Sequence, residues 1–258
     1  MKLDVALPHL YTKAGYEFIW DYLHQHPRSQ NTGEFDLDRL GFLGFCMTNL
    51  AHSHAQLYQD LYVLFKLGSK RNGFFVEFGA ASGMHLSNTY LLEKTVGWTG
   101  ILAEPFPIWH SQLAQHRSVP IDKRCVWNKT GEKLEFLGTD HAPEFATLMS
   151  FKDSDKHSEW RSQSKNVFIV ETVTLNDLLE QHGAPDQIDY LSVDTEGSEF
   201  EILGHFNFKK YQPKIITVEH NFNTGIREKL FDLLTFNGYK RQFEEFSKFD
   251  DWYYFSDQ

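Results

Sequence analysis

The chain has 258 residues and a formal net charge of −10, with 41% hydrophobic and 23% charged residues. That balance describes a globular protein rather than a disordered one, with length for one α/β domain and an appendage. It also argues against a phosphate backbone or an anionic membrane as the main partner, so neither nucleic acid nor stable membrane insertion is expected. Two cysteines, Cys46 and Cys125, supply neither a disulfide framework nor a cysteine-based zinc site. The most apolar stretch, residues 40–47, is too short to span a bilayer, and Asp4, Pro8 and His9 fall where a signal peptide needs an apolar core. A cytoplasmic protein is therefore expected.

In chain order, residues 16–24 and 56–67 carry apolar positions at helical spacing, with a polar, turn-rich loop over 27–38 between them. Residues 1–70 are read as an N-terminal helical cap, and 71–258 as the main domain. From Phe74 the pattern becomes strand, turn, helix. Strands are predicted at 74–78, 99–103, 124–127, 188–193 and 214–218, with a hairpin arm at 133–137. Helices are predicted at 86–96, 108–116, after Thr174, at 198–203 and from Thr224, with Thr174, Ser198 and Thr224 as caps. Two further strands near Tyr239 and Tyr253 are joined too closely for a crossover helix, so one of them must run antiparallel in an otherwise parallel sheet. Residues 138–165 fit no element, and a polar segment of that length reads as a lid over a site.

Ligands of open parallel sheets bind at the carboxyl ends of the strands. Glu77-Phe78-Gly79-Ala80-Ala81-Ser82-Gly83 follows the first strand, and its small residues would let a ligand approach the backbone. Any tight strand-to-helix turn also favours glycine. Glu104 ends the second strand, where a carboxylate can accept both hydroxyls of a ribose; an ordinary solvated strand end would look the same. Asp194-Thr195-Glu196-Gly197-Ser198-Glu199 follows an apolar strand, and an acid there is costly unless paired, hydrogen-bonded or metal-bound. Glu219-His220-Asn221 ends the next strand beside it, and His220 is a candidate general base.

The run Phe74 to Ala80, Ser87-Asn88-Thr89, Gly97-Trp98-Thr99-Gly100 through Glu104-Pro105, and above all Tyr190-Leu191-Ser192-Val193-Asp194-Thr195-Glu196-Gly197-Ser198-Glu199 resemble the FkbM family of S-adenosylmethionine-dependent methyltransferases. Ala55-Gln56-Leu57-Tyr58-Gln59-Asp60 is similar to the family's entry segment, with Ala55 in place of serine. The resemblance runs from about residue 53 to the C-terminus. It departs at Ala81, where many such enzymes have a third glycine.

The resemblance implies an α/β fold: a seven-stranded, mostly parallel, doubly wound Rossmann-like methyltransferase sheet. It implies S-adenosylmethionine as cofactor, with Glu77, Gly79, Ala80 and Gly83 around the methionine part, together with Asp194. It places Glu104 on the ribose and Asn128 at adenine near Val126 or Trp127, while Gln56 and Asp60 close the site. It implies O-methylation, of a sugar or glycan precursor or of a polyketide-type metabolite. Two mechanisms fit Asp194, Glu219 and His220. Either His220 is the base and Asp194 orients it, or the three bind a divalent cation such as Mg²⁺ or Mn²⁺. A cofactor-binding scaffold without activity and a nicotinamide-dependent oxidoreductase are rival readings; the Asp194–Glu199 segment does not resemble the latter class.

Overall fold

The computed structural model describes residues 37–139, 143–152, 158–159, 164 and 166–256. The chain divides into two compact units, residues 1–53 and 54–258. The first contains the helix Leu37–Asn49 and a single 3-10 turn, Leu50–His52. The helix expected at 16–24 lies outside the described residues. The division between these units, at 53/54, lies within the segment read as the cap. The helix Gln59–Lys66 belongs to the second unit, where Tyr62 stacks on Trp252 with ring centroids 4.8 Å apart.

Eleven strands are described: β1 (Phe74–Phe78), β2 (Thr99–Ala103), β3 (Ile121–Asp122), β4 (Cys125–Trp127), β5 (Lys133–Gly138), β6 (Thr147–Leu148), β7 (Asn166–Thr174), β8 (Tyr190–Val193), β9 (Ile215–Glu219), β10 (Tyr239–Gln242) and β11 (Asp250–Phe255). Seven of them form one sheet in the order β10-β11-β9-β8-β1-β2-β3. Within it only β11 runs antiparallel to its neighbours, as the short β10–β11 connection requires. Every residue of β8 and β9 is buried, which explains why both strands are mainly apolar. Val76, Leu191, Val193, Ile216 and Val218 pack against Leu178, Ile202, Leu230 and Leu234 of the flanking helices. Each such side chain contributes ~1.5–3 kcal/mol by leaving water.

A second sheet has the order β4-β7-β5-β6. The strand expected at 124–127 is β4, which stands apart from the main sheet and pairs in parallel with β7, while the edge of the main sheet is β3, a two-residue strand just before it that was not expected. The arm at 133–137 is β5, and its hairpin partner is β7, with Lys133 opposite Glu171 and Gly138 opposite Asn166. Phe168 of β7 lies 5.4 Å from Phe106 and 5.3 Å from Phe136, centroid to centroid, in the small core of this sheet. Within residues 138–165, β6 pairs with β5 between two 3-10 turns, Pro143–Phe145 and Met149–Phe151; Trp160 lies outside the described residues.

Thr174 caps its helix as expected, accepting from the Asp177 amide at 3.1 Å. The helix Thr224–Phe236 is capped by Asn223, one residue earlier than expected, through the Ile226 amide at 3.2 Å. The helix expected over 86–96 is confined to Tyr90–Lys94. Leu86 has a left-handed backbone, and Ser87, Asn88 and Thr89 are turned onto Glu77. Among the described residues no helix is long and apolar enough to cross a membrane.

Candidate active site

The chain leaves β1 toward β2 and β3 on one side, and β8 and β9 lie on the other. A crevice therefore opens at the carboxyl ends of β1 and β8. It holds a cavity of about 290 Å³. The wall combines the ends of β1, β2, β8 and β9 with Pro143, Ala146 and Leu148 of the 138–165 segment, and with Phe249 and Asp250. Seven carboxylates line it: Glu77, Glu104, Glu144, Asp194, Glu196, Glu219 and Asp250. Among the described lining residues there is no lysine or arginine.

Glu77 organises the loop after β1. It accepts from the Asn88 amide at 2.8 Å, Ser87 Oγ at 3.1 Å and Thr89 Oγ1 at 2.5 Å. The fully buried Arg117 guanidinium lies 3.4 Å from Glu77, bonds the Gly83 carbonyl at 3.2 Å and reaches Glu93 at 2.5 Å. Asn88 donates to Ser192 Oγ at 2.9 Å, while its buried Oδ1 has no partner. An orphaned acceptor of this kind costs ~1–3 kcal/mol until something donates to it. Gly79 has φ +79°, and a Cβ there would lie 1.8 Å from the Asp194 carbonyl. The glycine thus lets the ends of β1 and β8 meet.

Glu104 is 5% exposed. One carboxylate oxygen accepts from the Ala81 amide at 2.8 Å and the other from the Phe106 amide at 2.7 Å. Burial pushes its pKa up to about 7 against the pull of these two amides, with Asp194 adding to the rise. Each oxygen keeps a second acceptor direction. Ala81 itself has φ +44°, so the position where related loops carry glycine is one where glycine would be unstrained.

The other acids gather at the ends of β8, β9 and the start of β11. One oxygen each of Asp194, Glu196 and Glu219 lies within 4.8 Å of the others. Asn221 Nδ2 bridges Glu219 at 2.8 Å and Glu196 at 3.2 Å. Gln59 Nε2 donates to Asp250 at 2.7 Å. Burial, then the Glu199 charge, lifts Asp194 to about 7, although a hydrogen bond from Glu219 pulls the other way. Glu219 is pushed well above the carboxylate range by burial and by Asp194, Glu196 and Asp250. Asp250 rises to about 8 for the same reasons, burial first and Asp194 next. Glu199 lies behind this cluster and accepts from the Thr195 and Gly197 amides at 3.0 Å each. Ser198, expected to cap the helix that starts at Glu199, makes no side-chain cap, and its Oγ donates to Thr195 Oγ1 at 2.8 Å.

The cavity brings together Gln56, Glu77, Gly79, Ala80, Glu104, Asp194 and Glu219 from the expected set. Four expected residues stand elsewhere. His220 does not line the cavity: its Nδ1 accepts from the Phe222 amide at 3.1 Å, and its Nε2 contacts the Asp250 carbonyl at 3.2 Å. Burial lowers its pKa against the pull of the Asp251 charge, and so favours the neutral imidazole. Asn128 turns to Glu201 at 3.4 Å, leaving Cys125 and Val126 as the wall there. Gly83 points away, where a Cβ would strike Leu113 at 2.4 Å. Asp60 receives the His54 and Leu61 amides at 3.0 and 2.8 Å and fixes the chain before the helix. Sequence reasoning missed Gln59, Asn88, Glu196 and Asp250. Glu196 stood in the acidic motif, but Asp250 gave no signal, because a strand-start aspartate in a polar run looks solvated.

An open α/β sheet with one antiparallel strand near its end and a cavity at the carboxyl ends of its central strands defines a methyltransferase-like protein. The chain belongs to the FkbM methyltransferase family: the Methyltransferase FkbM domain matches residues 77–252. Among solved structures it is similar to the methyltransferase FkbM of Methylobacillus flagellatus KT, with 12% identity and a TM-score of 0.47 over 87% of this chain and 63% of that one. It thus spans less than two thirds of that relative's length. Two further similar structures are a precorrin-6y C5,15-methyltransferase from Geobacter metallireducens GS-15 and a fibrillarin pre-rRNA processing protein from Methanococcus jannaschii. The first has 11% identity and a TM-score of 0.38 over 71% of each chain; the second has 15% and 0.35 over 73% of this chain and 69% of that one. No curated protein matches the chain.

Proposed function

We propose that the protein is an S-adenosylmethionine-dependent O-methyltransferase that methylates a hydroxyl of a sugar or glycan precursor in the cytoplasm. The observation that carries this reading is a cavity lined by seven carboxylates and no described lysine or arginine. Such a lining favours a cationic ligand. The residues fit the cofactor: Glu104 offers an acceptor on each oxygen to a ribose diol, and the orphaned Asn88 Oδ1 suits the amino group of the methionine part. Cys125 and Val126 offer an apolar wall for adenine. When bound, S-adenosylmethionine supplies a methyl group already activated on a sulfonium. The chain's own residues then have to orient the acceptor, exclude water and take up its proton. Asp194 and Glu219 supply the base, in place of His220, with the proton entering the carboxylate pair. Glu77, Arg117 and the 87–89 turn hold the cofactor side rigid.

A second reading is favoured by the close approach of Asp194, Glu196 and Glu219. These three would hold a hard divalent cation, Mg²⁺ or Mn²⁺, which would lower the pKa of a hydroxyl. Calorimetric titration with Mn²⁺, in the wild type and in Glu196→Gln, tests it. Heat that disappears in the variant supports the cation, and absence of heat in the wild type removes it. The main reading is tested by mass spectrometry of candidate glycans for one added methyl group, beside thermal shifts with S-adenosylhomocysteine and NAD. Stabilisation by NAD alone would overturn it.

A further inference from the structure

Ser192 and Thr217 interrupt the mainly apolar runs of β8 and β9. They stand opposite each other, and Glu77 of β1 stands opposite Ser192 on its other side. Cross-strand partners point to one face of a sheet, so a polar row crosses three central strands at the floor of the cavity, which Glu77 and Ser192 both line. Tyr190, two residues before Ser192 on the same face, is fully buried and does not line the cavity. Its hydroxyl is hydrogen-bonded to Ser192 and to Thr217, the latter at 2.7 Å. Asn88 completes the row. Its Nδ2 donates to Ser192 Oγ at 2.9 Å, which leaves Oδ1 as the buried acceptor without a partner. Tyr190, Ser192 and Thr217 are each at most 1% exposed, where a hydroxyl is costly unless it is hydrogen-bonded. Phenylalanine and valine would fill the same space without that cost.

We propose that Tyr190 and Thr217 are positioning residues for the cofactor: through Ser192 they hold the Asn88 amide with its oxygen toward the cavity, as the acceptor for the α-amino group of the methionine part. The proposal rests on the methyltransferase reading of the same cavity. Each hydroxyl has one hydrogen, so the chain of bonds has a direction. Ser192 Oγ accepts from Asn88, which leaves its own hydrogen for the Tyr190 oxygen and the Tyr190 hydrogen for Thr217 Oγ1. An asparagine amide carries an acceptor on one arm and donors on the other, in nearly the same shape. Packing alone does not choose between the two arms; the chain of hydroxyls does. Without the Tyr190 oxygen, the Ser192 hydrogen is left to the Asn88 side chain. It then bonds the amide oxygen, the amide turns over, and its NH₂ group faces the cavity. A donor in that place repels an ammonium group instead of binding it. Loss of the Thr217 oxygen acts one step further back, because Tyr190 then donates to Ser192.

The test is titration calorimetry of the full chain with S-adenosylhomocysteine and with its analogue lacking the α-amino group. The wild type should prefer S-adenosylhomocysteine at least about tenfold, as for one hydrogen bond to a charged group. Tyr190→Phe and Thr217→Val each remove one oxygen from the chain of bonds. Both should cut that preference about three- to tenfold, through weaker binding of S-adenosylhomocysteine and not of the analogue. Thr217→Ser should keep the preference, since it keeps the acceptor. A purely structural role of these residues would weaken both ligands alike and leave their ratio unchanged. An unchanged ratio in Tyr190→Phe or in Thr217→Val, a ratio lost in Thr217→Ser as well, or no preference in the wild type would overturn the positioning role, while binding of S-adenosylhomocysteine upholds the cofactor. Absence of heat with S-adenosylhomocysteine in the wild type would instead overturn the cofactor reading, and the positioning role with it.

Discussion

Gln59 donates a 2.7 Å hydrogen bond to Asp250, the first residue of the last strand, across 191 positions of sequence. Both line the cavity. The segment before β1 and the strand β11 are thereby fixed to each other at the acidic end of the site. The amide donor opposes the rise in the Asp250 pKa, and burial beside Asp194 outweighs it.

That balance sets a pH dependence of stability. Glu104 and Asp194 are raised to about 7 and Asp250 to about 8, against ordinary values near ~4 in the unfolded chain. Between these limits the folded state binds more protons than the unfolded one, so stability falls as pH rises through 7 to 8. Without ligand, the melting temperature should be lower at pH 9 than at pH 6, and Asp250→Asn should narrow the gap. A melting temperature independent of pH over that span would show that these acids are not raised.

Glu104→Ala should weaken S-adenosylhomocysteine binding tenfold or more, since hydrogen bonds to a charged group are worth ~1.5–3 kcal/mol each. In the wild type, affinity should grow from pH 6 to pH 8 as the carboxylate ionises, and Glu104→Gln should flatten that growth. Titration calorimetry at the two pH values reads both effects. Equal affinity in Glu104→Ala would remove the ribose assignment.

Asp194→Asn should lower turnover ~10²–10⁴-fold, the usual effect of losing a general base. His220→Ala should lower the melting temperature through loss of the turn at 220–223, while the pH–rate profile keeps its limbs. Should the profile of His220→Ala lose its acid limb, the imidazole would be the base after all.

Arg117→Leu would leave Glu77 buried without its cation, while Glu93 keeps Lys94 at 2.9 Å; breaking such a buried pair costs about 3–5 kcal/mol. Arg117→Lys should recover little, because one ammonium cannot reach Glu77, Glu93 and the Gly83 carbonyl together. Urea unfolding midpoints give the comparison; a Lys variant as stable as the wild type would show that the fork geometry is unimportant.

Much of the main sheet was legible because its central strands are buried throughout and read as mainly apolar runs broken only by Ser192 and Thr217, as at 190–193 and 215–218. β7 was not legible. Its face toward solvent keeps Val167 and Ile169 exposed, so its apolar residues show neither a clean alternation nor a buried run. At the site, residues that follow strands directly, such as Glu104 and Asp194, announced themselves by position. His220 also follows a strand, but its side chain leaves on the opposite face from Glu219, and chemical type alone could not reveal that. Gly79 and Gly83 look equivalent in sequence, yet one clears a neighbouring strand and the other clears Leu113.

β11 lies between β9 and β10 although it is made after both. During vectorial synthesis β9 must wait with an open edge until residues 250–255 emerge, and only then do Asp250 and Gln59 meet. A nascent or prematurely terminated chain ending before β11 would present the bare hydrogen-bonding edge of an apolar strand, a template for intermolecular pairing. Such products should be recognised by quality-control proteases or lost to aggregates, so that incomplete copies with half an acidic cavity do not accumulate beside the finished protein.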